Sequence, residues 1–346
     1  MLVTKQPLLR RFWYALAPLE ALESGPRAAT LLGENLVLWL DADGEPVCLR
    51  DRCCHRSMKL SKGQAKEGII SCAYHGWSFD RTGRCVRIPQ YPARKPNFKV
   101  EGFRCVARHG VAWVALEEPL FDIPALPEFD DPGFRLVPEF FETWNAAGLR
   151  IMENSFDNAH FSYVHAASFG INEEPQPADL HIEETPGGFN MYSDVPVKNP
   201  DIQKKNLGTD SDRTVRHLIK TWWMPFARKM HITYPNGLVH IICTLTAPID
   251  DRASTVIQFA LRNDSEADVA AASVVAFDRQ VTNEDKAVLE ECEWDIPLDT
   301  ASGEEFHMPS DKPGIVMRRR LRELLMQHGE TEARAGRDAI LMQASD

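Results

Sequence analysis

No apolar run in this chain of 346 residues reaches the roughly 20 residues that a membrane-spanning helix needs, so no membrane role is expected. The N-terminus lacks the long apolar core and cleavage site of a secretory leader. Basic residues are in the minority. The 39 Lys and Arg against 50 Asp and Glu leave a net charge of −11, with no basic stripe to neutralise phosphates. Nucleic acid is therefore excluded as the expected partner, while a basic redox partner remains compatible. Arg318-Arg319-Arg320, a short run near the end, reads as a solvated helix face. The 8 cysteines are scattered from Cys48 to Cys292 and do not form a compact disulfide framework. A reducing cytoplasm is the consistent compartment. Internal repeats and low-complexity segments are absent as well. The 44% hydrophobic and 26% charged residues describe a globular chain with apolar material for two cores.

Among the residues present, Cys53-x-His55 followed by Cys72-x-x-His75 carries the most information. Two thiolates on one iron and two imidazoles on the other hold a [2Fe–2S] cluster, and the neutral imidazoles raise its potential above that of an all-thiolate cluster. Zinc competes for the same donors. It usually takes two cysteines from one knuckle and two histidines from another, whereas here each knuckle offers one of each. The C-x-H knuckle is also too tight for a usual zinc finger. Cys54, between two ligands, reads as a small buried thiol outside the cluster.

A second constellation is Asp157-x-x-His160-x-x-x-x-His165. On a helix Asp157 and His160 share a face, whereas His160 and His165 are five apart, so the helix must distort or end between them. Two imidazoles and one carboxylate form the facial triad of non-haem Fe(II) sites, leaving three positions open. The carboxylate is Asp157 or a later acid brought in by the fold.

Elements follow from pattern. Leu36–Leu40 reads as a strand, with further strands near residues 102–103 and 111–114. The proline-bearing stretch at 117–127 reads as a linker, which places a boundary near residue 120. Beyond it, strands are expected at 140–144, 189–195, 213–221, 229–234, 239–247 and 255–262. Asn236-Gly237 marks a tight hairpin. Helices are expected at 150–165, 267–293 and 312–327, the last with Pro313 in its first turn. Strands packed on one long late helix indicate an α+β domain with a curved antiparallel sheet. Trp222-Trp223-Met224 reads as core. His109, His181, His217, His231, His240, His307 and His328 have no partner at metal spacing and read as hydrogen-bonded or surface side chains.

Ala73-Tyr74-His75-Gly76-Trp77, with the C-x-H knuckle, resembles the second ligand loop of the Rieske domain. Glu153-Asn154-x-x-Asp157-x-x-His160-x-x-x-x-His165 resembles the catalytic motif of Rieske non-haem iron oxygenases. The resemblance implies an all-β Rieske domain over 1–120 and a helix-grip (START-like) catalytic domain over 121–346. It implies that Cys53, His55, Cys72 and His75 hold the cluster. His160 and His165 then bind Fe(II) together with a carboxylate of the long late helix. Asp285 in Asn283-Glu284-Asp285-Lys286 is the choice, with Glu284 and Glu290 as fallbacks. Asp157 is then freed to bridge a cluster-ligating histidine of one subunit and an iron-ligating histidine of the next.

The length and the segments around Cys53 and Asp157 look most like the trimeric members of that family. Those attack O-methyl, N-methyl or ring carbons of polar cyclic molecules, the purine-alkaloid N-demethylases among them. Dioxygen is the implied co-substrate. Electrons come from a reductase or ferredoxin, with NAD(P)H acting only through it, and a head-to-tail homotrimer brings each cluster beside a neighbour's iron. Ring dihydroxylation is the alternative within the family. A Rieske electron carrier with a ligand-binding domain and a structural zinc protein are the rivals outside it.

Overall fold

The computed structural model of the chain describes residues 1–93 and 97–335. It divides into two units. One comprises Pro7–Ile123 with Ala247–Asp250, and the other Met1–Gln6, Pro124–Thr246 and the chain from Asp251 onward.

The first unit is built from short strands. A six-stranded sheet runs in the order β1 (Tyr14–Pro18), β10 (Val111–Ala115), β9 (Gly102–Arg108), β4 (Pro46–Arg50), β3 (Glu34–Leu40) and β2 (Arg27–Leu31). A four-stranded sheet follows chain order: β5 (Gln64–Lys66), β6 (Ile69–Ser71), β7 (Ser78–Phe79) and β8 (Cys85–Arg87). Side chains alternate along a strand, so every second residue of β3 and β4 reaches the same core. Val37 pairs with Leu49 and Trp39 with Val47, and all four are buried with Leu60, Ile70 and Phe79. Cys53 and Cys72 belong to the same cluster of buried residues, so the two ligand loops rise from packed apolar ground.

The second unit holds a seven-stranded sheet in the order β11 (Arg135–Trp144), β17 (Ser254–Arg262), β16 (Val239–Pro248), β15 (Ala227–Thr233), β14 (Arg213–Trp223), β13 (Gly188–Lys198) and β12 (Leu180–Thr185). Its strands run longer than their apolar patterns, because hydrogen bonding continues past the last inward side chain. The β15–β16 hairpin closes at Tyr234–Leu238 with Gly237 at a φ of 84°, where glycine avoids the Cβ clash. Strand β12 and helix α3 (Asp201–Leu207) lie in stretches where no element was expected.

Helix α4 (Ala271–Leu289) lies against β11, α1 (Gly148–Phe156), α2 (Phe161–Val164) and α3. It is shorter than the expected 267–293. Its Phe277 joins Leu218, Ile232 and Ile242 of the sheet in one core. Trp222 is fully buried, against Phe189, and its indole N–H donates to Pro225 O at 3.0 Å. Helix α5 (Lys312–Gln327) starts with Pro313 in its first turn and buries Val316, Met317, Leu321 and Leu325.

Two expectations are corrected. The span 150–165 is two helices, and the break lies before His160, at Asp157, which is extended with ψ at 131°. The Arg318-Arg319-Arg320 run is not a solvated face. Arg318 is buried and grips Glu153 and Glu305, while Arg319 and Arg320 both reach Glu184. A charged run carries no signal of the acids that the fold brings to meet it.

Candidate metal centres and cavity

The two cysteine loops are built alike. The amide of Cys53 donates to Met58 O at 2.8 Å, and that of Cys72 to Trp77 O at 2.8 Å. Four residues past each cysteine, Ser57 and Gly76 return an N–H to Cys53 O and Cys72 O, both at 3.0 Å. Both returning residues have positive φ, 58° and 69°. At Gly76 a Cβ would also meet Pro89 Cγ at 3.0 Å.

These turns gather the four expected donors. The rings of His55 and His75 are 4.5 Å apart between centroids, and Trp77 stacks flat on His55 at 4.5 Å. Burial pushes the Cys53 thiol up to about 12, and the neighbouring Cys72 adds to the push. The pair of soft donors beside two imidazoles fits an iron–sulfur cluster with mixed ligands. Cys54 is exposed, contrary to its expected burial, because it follows the inward-facing Cys53 on the same turn.

The second site forms where α1 ends. Asp157 caps the C-terminus of α1, and its Oδ1 accepts from the Ala159 amide at 2.6 Å, turning the chain toward α2. His160 precedes α2 and His165 follows it. The two therefore meet across one short helix instead of along a continuous one, and Asp157 reaches His160 through a turn rather than along a shared face. Asp285 comes from α4.

Three atoms form a small triangle. His160 Nε2 and His165 Nε2 are 3.2 Å apart, with Asp285 Oδ1 at 3.4 Å from the first and 3.2 Å from the second. Neighbouring ligands about 2.1 Å from a first-row metal keep edges of about 3 Å, so the donor set fits a metal on a facial triad. The outer ring nitrogens are also held. His160 Nδ1 lies 3.3 Å from Asp157 Oδ2, and His165 Nδ1 lies 2.7 Å from Glu284 Oε2, which also accepts from Ser168. Carboxylates on both Nδ1 atoms turn both Nε2 lone pairs inward. Although burial opposes it, hydrogen bonds to Asp157 and Asp285 raise the pKa of His160. Asp285 is held far below the usual carboxylate range by the two imidazoles, despite burial. Glu290 instead accepts from the Asn145 amide at 2.8 Å.

A cavity opens between the sheet and α4 beside the triangle. Phe161, Leu218, Ile232 and Ile242 line part of it, and Lys220, Arg228, His240 and Asp278 line another part. Burial, with Arg228 nearby, lowers Lys220 to about 7. Trp222, Trp223 and Met224 do not line it. His240 was expected to be a hydrogen-bonded or surface histidine, with no partner at metal spacing. It instead lies 3.2 Å from Asp278, and both belong with Glu139 to a buried polar group. The packing of α4 on the sheet brings Asp278 to these two strands, so spacing gave no signal of the group.

Comparisons with known proteins follow the same division. Residues 12–107 match the Rieske [2Fe-2S] domain, and residues 144–327 match the vanillate O-demethylase oxygenase C-terminal domain. The methylxanthine N1-demethylase NdmA of Pseudomonas putida is 32% identical over 96% of this chain and 93% of its own length. The methylxanthine N3-demethylase NdmB of Pseudomonas putida is 26% identical over 98% and 96%. Among solved structures, Pseudomonas putida CBB5 NdmA with caffeine superposes with a TM-score of 0.82 at 29% identity, covering 95% of this chain and 94% of that one. Dicamba monooxygenase shares the fold, with a TM-score of 0.81 at 23% identity over 92% and 98%.

The chain belongs to the Rieske non-haem iron oxygenases. It is accordingly a non-haem iron monooxygenase of the demethylase and hydroxylase group, with a [2Fe–2S] cluster and a mononuclear iron. It takes a small-molecule substrate and receives electrons from a reductase or ferredoxin. No helix among the described residues is long and apolar enough to cross a membrane.

Proposed function

We propose that Cys53, His55, Cys72 and His75 hold the cluster, and that His160, His165 and Asp285 hold the iron. The substrate is a small polar cyclic molecule, methylated on nitrogen or oxygen, seated in the cavity beside Asp285. When bound, the two centres supply single electrons and the activation of dioxygen. The chain's own residues supply position, proton control and exclusion of water. Asp157 and Glu284 keep both imidazoles in the tautomer that offers Nε2 inward. Phe161, Ile232 and Ile242 form a dry wall that holds a flat ring.

The observation that carries this reading is the triangle of His160, His165 and Asp285 atoms opening on that cavity. A methyl carbon hydroxylated on nitrogen or oxygen leaves as formaldehyde, whereas a ring carbon keeps its oxygen. The likeness to methylxanthine N-demethylases favours methylated heterocycles. Turnover with a reductase and a panel of methylated heterocycles and aromatics tests the reading, assaying formaldehyde and hydroxylated product. Neither product from any substrate would defeat it.

The same reading places the enzyme in the cytoplasm as a homotrimer, with its domain boundary near residue 120. Asp157 supports the assembly: its carboxylate holds His160 on one side yet is 32% exposed. Exposed apolar side chains, Phe306 at 94%, Tyr163 at 68% and Met308 at 66%, belong to the same unit. They suit burial by a neighbouring copy, whose cluster histidine would then reach Asp157.

A further inference from the structure

Glu139 sits at a bulge. Strand β11 pairs with β17 through Pro138 opposite Phe259 and Phe140 opposite Gln258, leaving Glu139 as the extra residue. A bulge re-aims a side chain, and bulges gather beside functional sites. From Glu139 a polar line crosses the sheet. Gln258 Nε2 donates to Glu139 Oε2 at 2.6 Å, Thr244 Oγ1 to Gln258 Oε1 at 2.8 Å, and Arg228 to Thr244 Oγ1 at 2.6 Å. Beside its Glu139 end lie His240 and Asp278, which are buried and face the cavity. Three atoms in this group make no well-angled hydrogen bond: Glu139 Oε1, and the facing pair His240 Nε2 and Asp278 Oδ2, 3.2 Å apart. Poorly satisfied buried polar atoms cost about 1–3 kcal/mol each, so a donor and an acceptor turned toward the cavity suit a ligand that pairs them better.

The chemistry of the group selects that ligand. Two acids and a histidine within 4.8 Å first suggest a second metal. The tautomer of His240 argues against it. Arg262, whose guanidinium has only donors, lies 3.4 Å from His240 Nδ1, so the ring's proton is on Nε2 and no lone pair faces the acids. The guanidinium of Arg228, linked to Glu139 through Thr244 and Gln258, adds positive charge that opposes a cation. What remains is a donor, His240 Nε2–H, beside an acceptor, Asp278 Oδ2, 3.2 Å apart. Burial, with the charge of Asp278, raises Glu139 well above the carboxylate range, as suits an acid packed against a second acid.

The placement on α4 supplies the reach. Asp278 and Asp285 are two turns apart on one face, about 10 Å along the axis, with Val281 and Thr282 between them on the cavity wall. That is the length of a two-ring heterocycle carrying a methyl group.

We propose that Glu139, His240 and Asp278 form an anchor for the edge of a neutral heterocycle that presents an N–H next to a carbonyl, as in a lactam or imide. Asp278 accepts from the N–H and His240 donates to the carbonyl, leaving the opposite end of the ring toward Asp285. This deepens the proposed function and rests on it for the identity of the cavity.

Calorimetry on the anaerobic, metal-replete enzyme tests the anchor with two matched pairs: theobromine against caffeine, and phthalimide against N-methylphthalimide. The first member of each pair has a free imide N–H that the second carries as N–CH₃. The N–H member is expected to bind about tenfold tighter or better, the value of one buried hydrogen bond. His240→Ala and Asp278→Asn are expected to bring the ratio to near unity, and His240→Gln, which retains a donor, to restore part of it. In turnover, the variants raise KM for theobromine more than they lower kcat. Equal affinity within both pairs, preference for the N-methyl members, no binding of any probe, or a second non-cluster metal per chain would each overturn the anchor. Discrimination without formaldehyde would sink the demethylation reading and leave the anchor standing; formaldehyde without discrimination would do the reverse.

Discussion

His160 stands between two acids, Asp157 at Nδ1 and Asp285 beside Nε2, and the two contacts predict different failures. His160→Ala is expected to lose the mononuclear iron and all turnover while keeping the cluster's visible absorption. Metal analysis would then find about two irons per chain instead of three. Asp157→Asn removes a partner of the ligand, not the ligand itself. It should retain both metals and lose about 10- to 100-fold in turnover, with slow reoxidation of the reduced cluster in a single-turnover experiment. At the other centre, Gly76→Ala places a Cβ at positive φ against Pro89. Such strain costs about 1–2 kcal/mol, so the variant should shed its cluster on mild heating, followed by bleaching of its absorption. Ser57→Gly, at the matching position of the first loop, should hold its cluster at least as well as the parent.

At the scale of elements, legibility followed what local pattern encodes. The strand at 229–234 and the helix at 312–327 were readable because apolar periodicity and proline placement act over a few residues. Strand β12 was not, because Leu180–Thr185 has only alternating half-buried positions. The break at Asp157 was misplaced because nothing local marks it: the carboxylate that turns the chain is the same one that faces His160. The cysteine and histidine motifs stand in short stretches and were visible as patterns, whereas Asp285 gave no signal of its own and was reached through the family resemblance; Glu139, His240 and Asp278 gave none since they lie on three elements. Arg318 on α5 is the strongest case of hidden pairing. Its side chain is 4% exposed, and it grips Glu153 of α1 and Glu305. Arg318→Ala leaves Glu153 and Glu305 to the more exposed Arg150 and should lower stability by about 3 kcal/mol in chemical denaturation. Although burial opposes it, Arg150 and Arg318 depress Glu305. The stability it contributes is therefore complete above the ordinary glutamate range and lost as pH falls through its depressed value, so the difference between variant and parent should narrow in acid.

The whole molecule is where the two centres must meet. In the proposed ring each subunit's cluster serves the next subunit's iron, and this makes a prediction that no single-chain scheme shares. A Cys72→Ala chain keeps the iron site and lacks the cluster; a His160→Ala chain does the opposite. Each alone should be inactive. Co-expressed as mixed trimers, they place an intact cluster beside an intact iron at about one interface in four when assembly is random. Recovery near a quarter of parental activity per chain is therefore expected, with sedimentation at the mass of three chains. If electrons passed within one subunit, the mixture would stay as inactive as its parts. A monomer with full turnover would break the ring outright, and the exposure of Asp157, Phe306 and Tyr163 would then need another occupant.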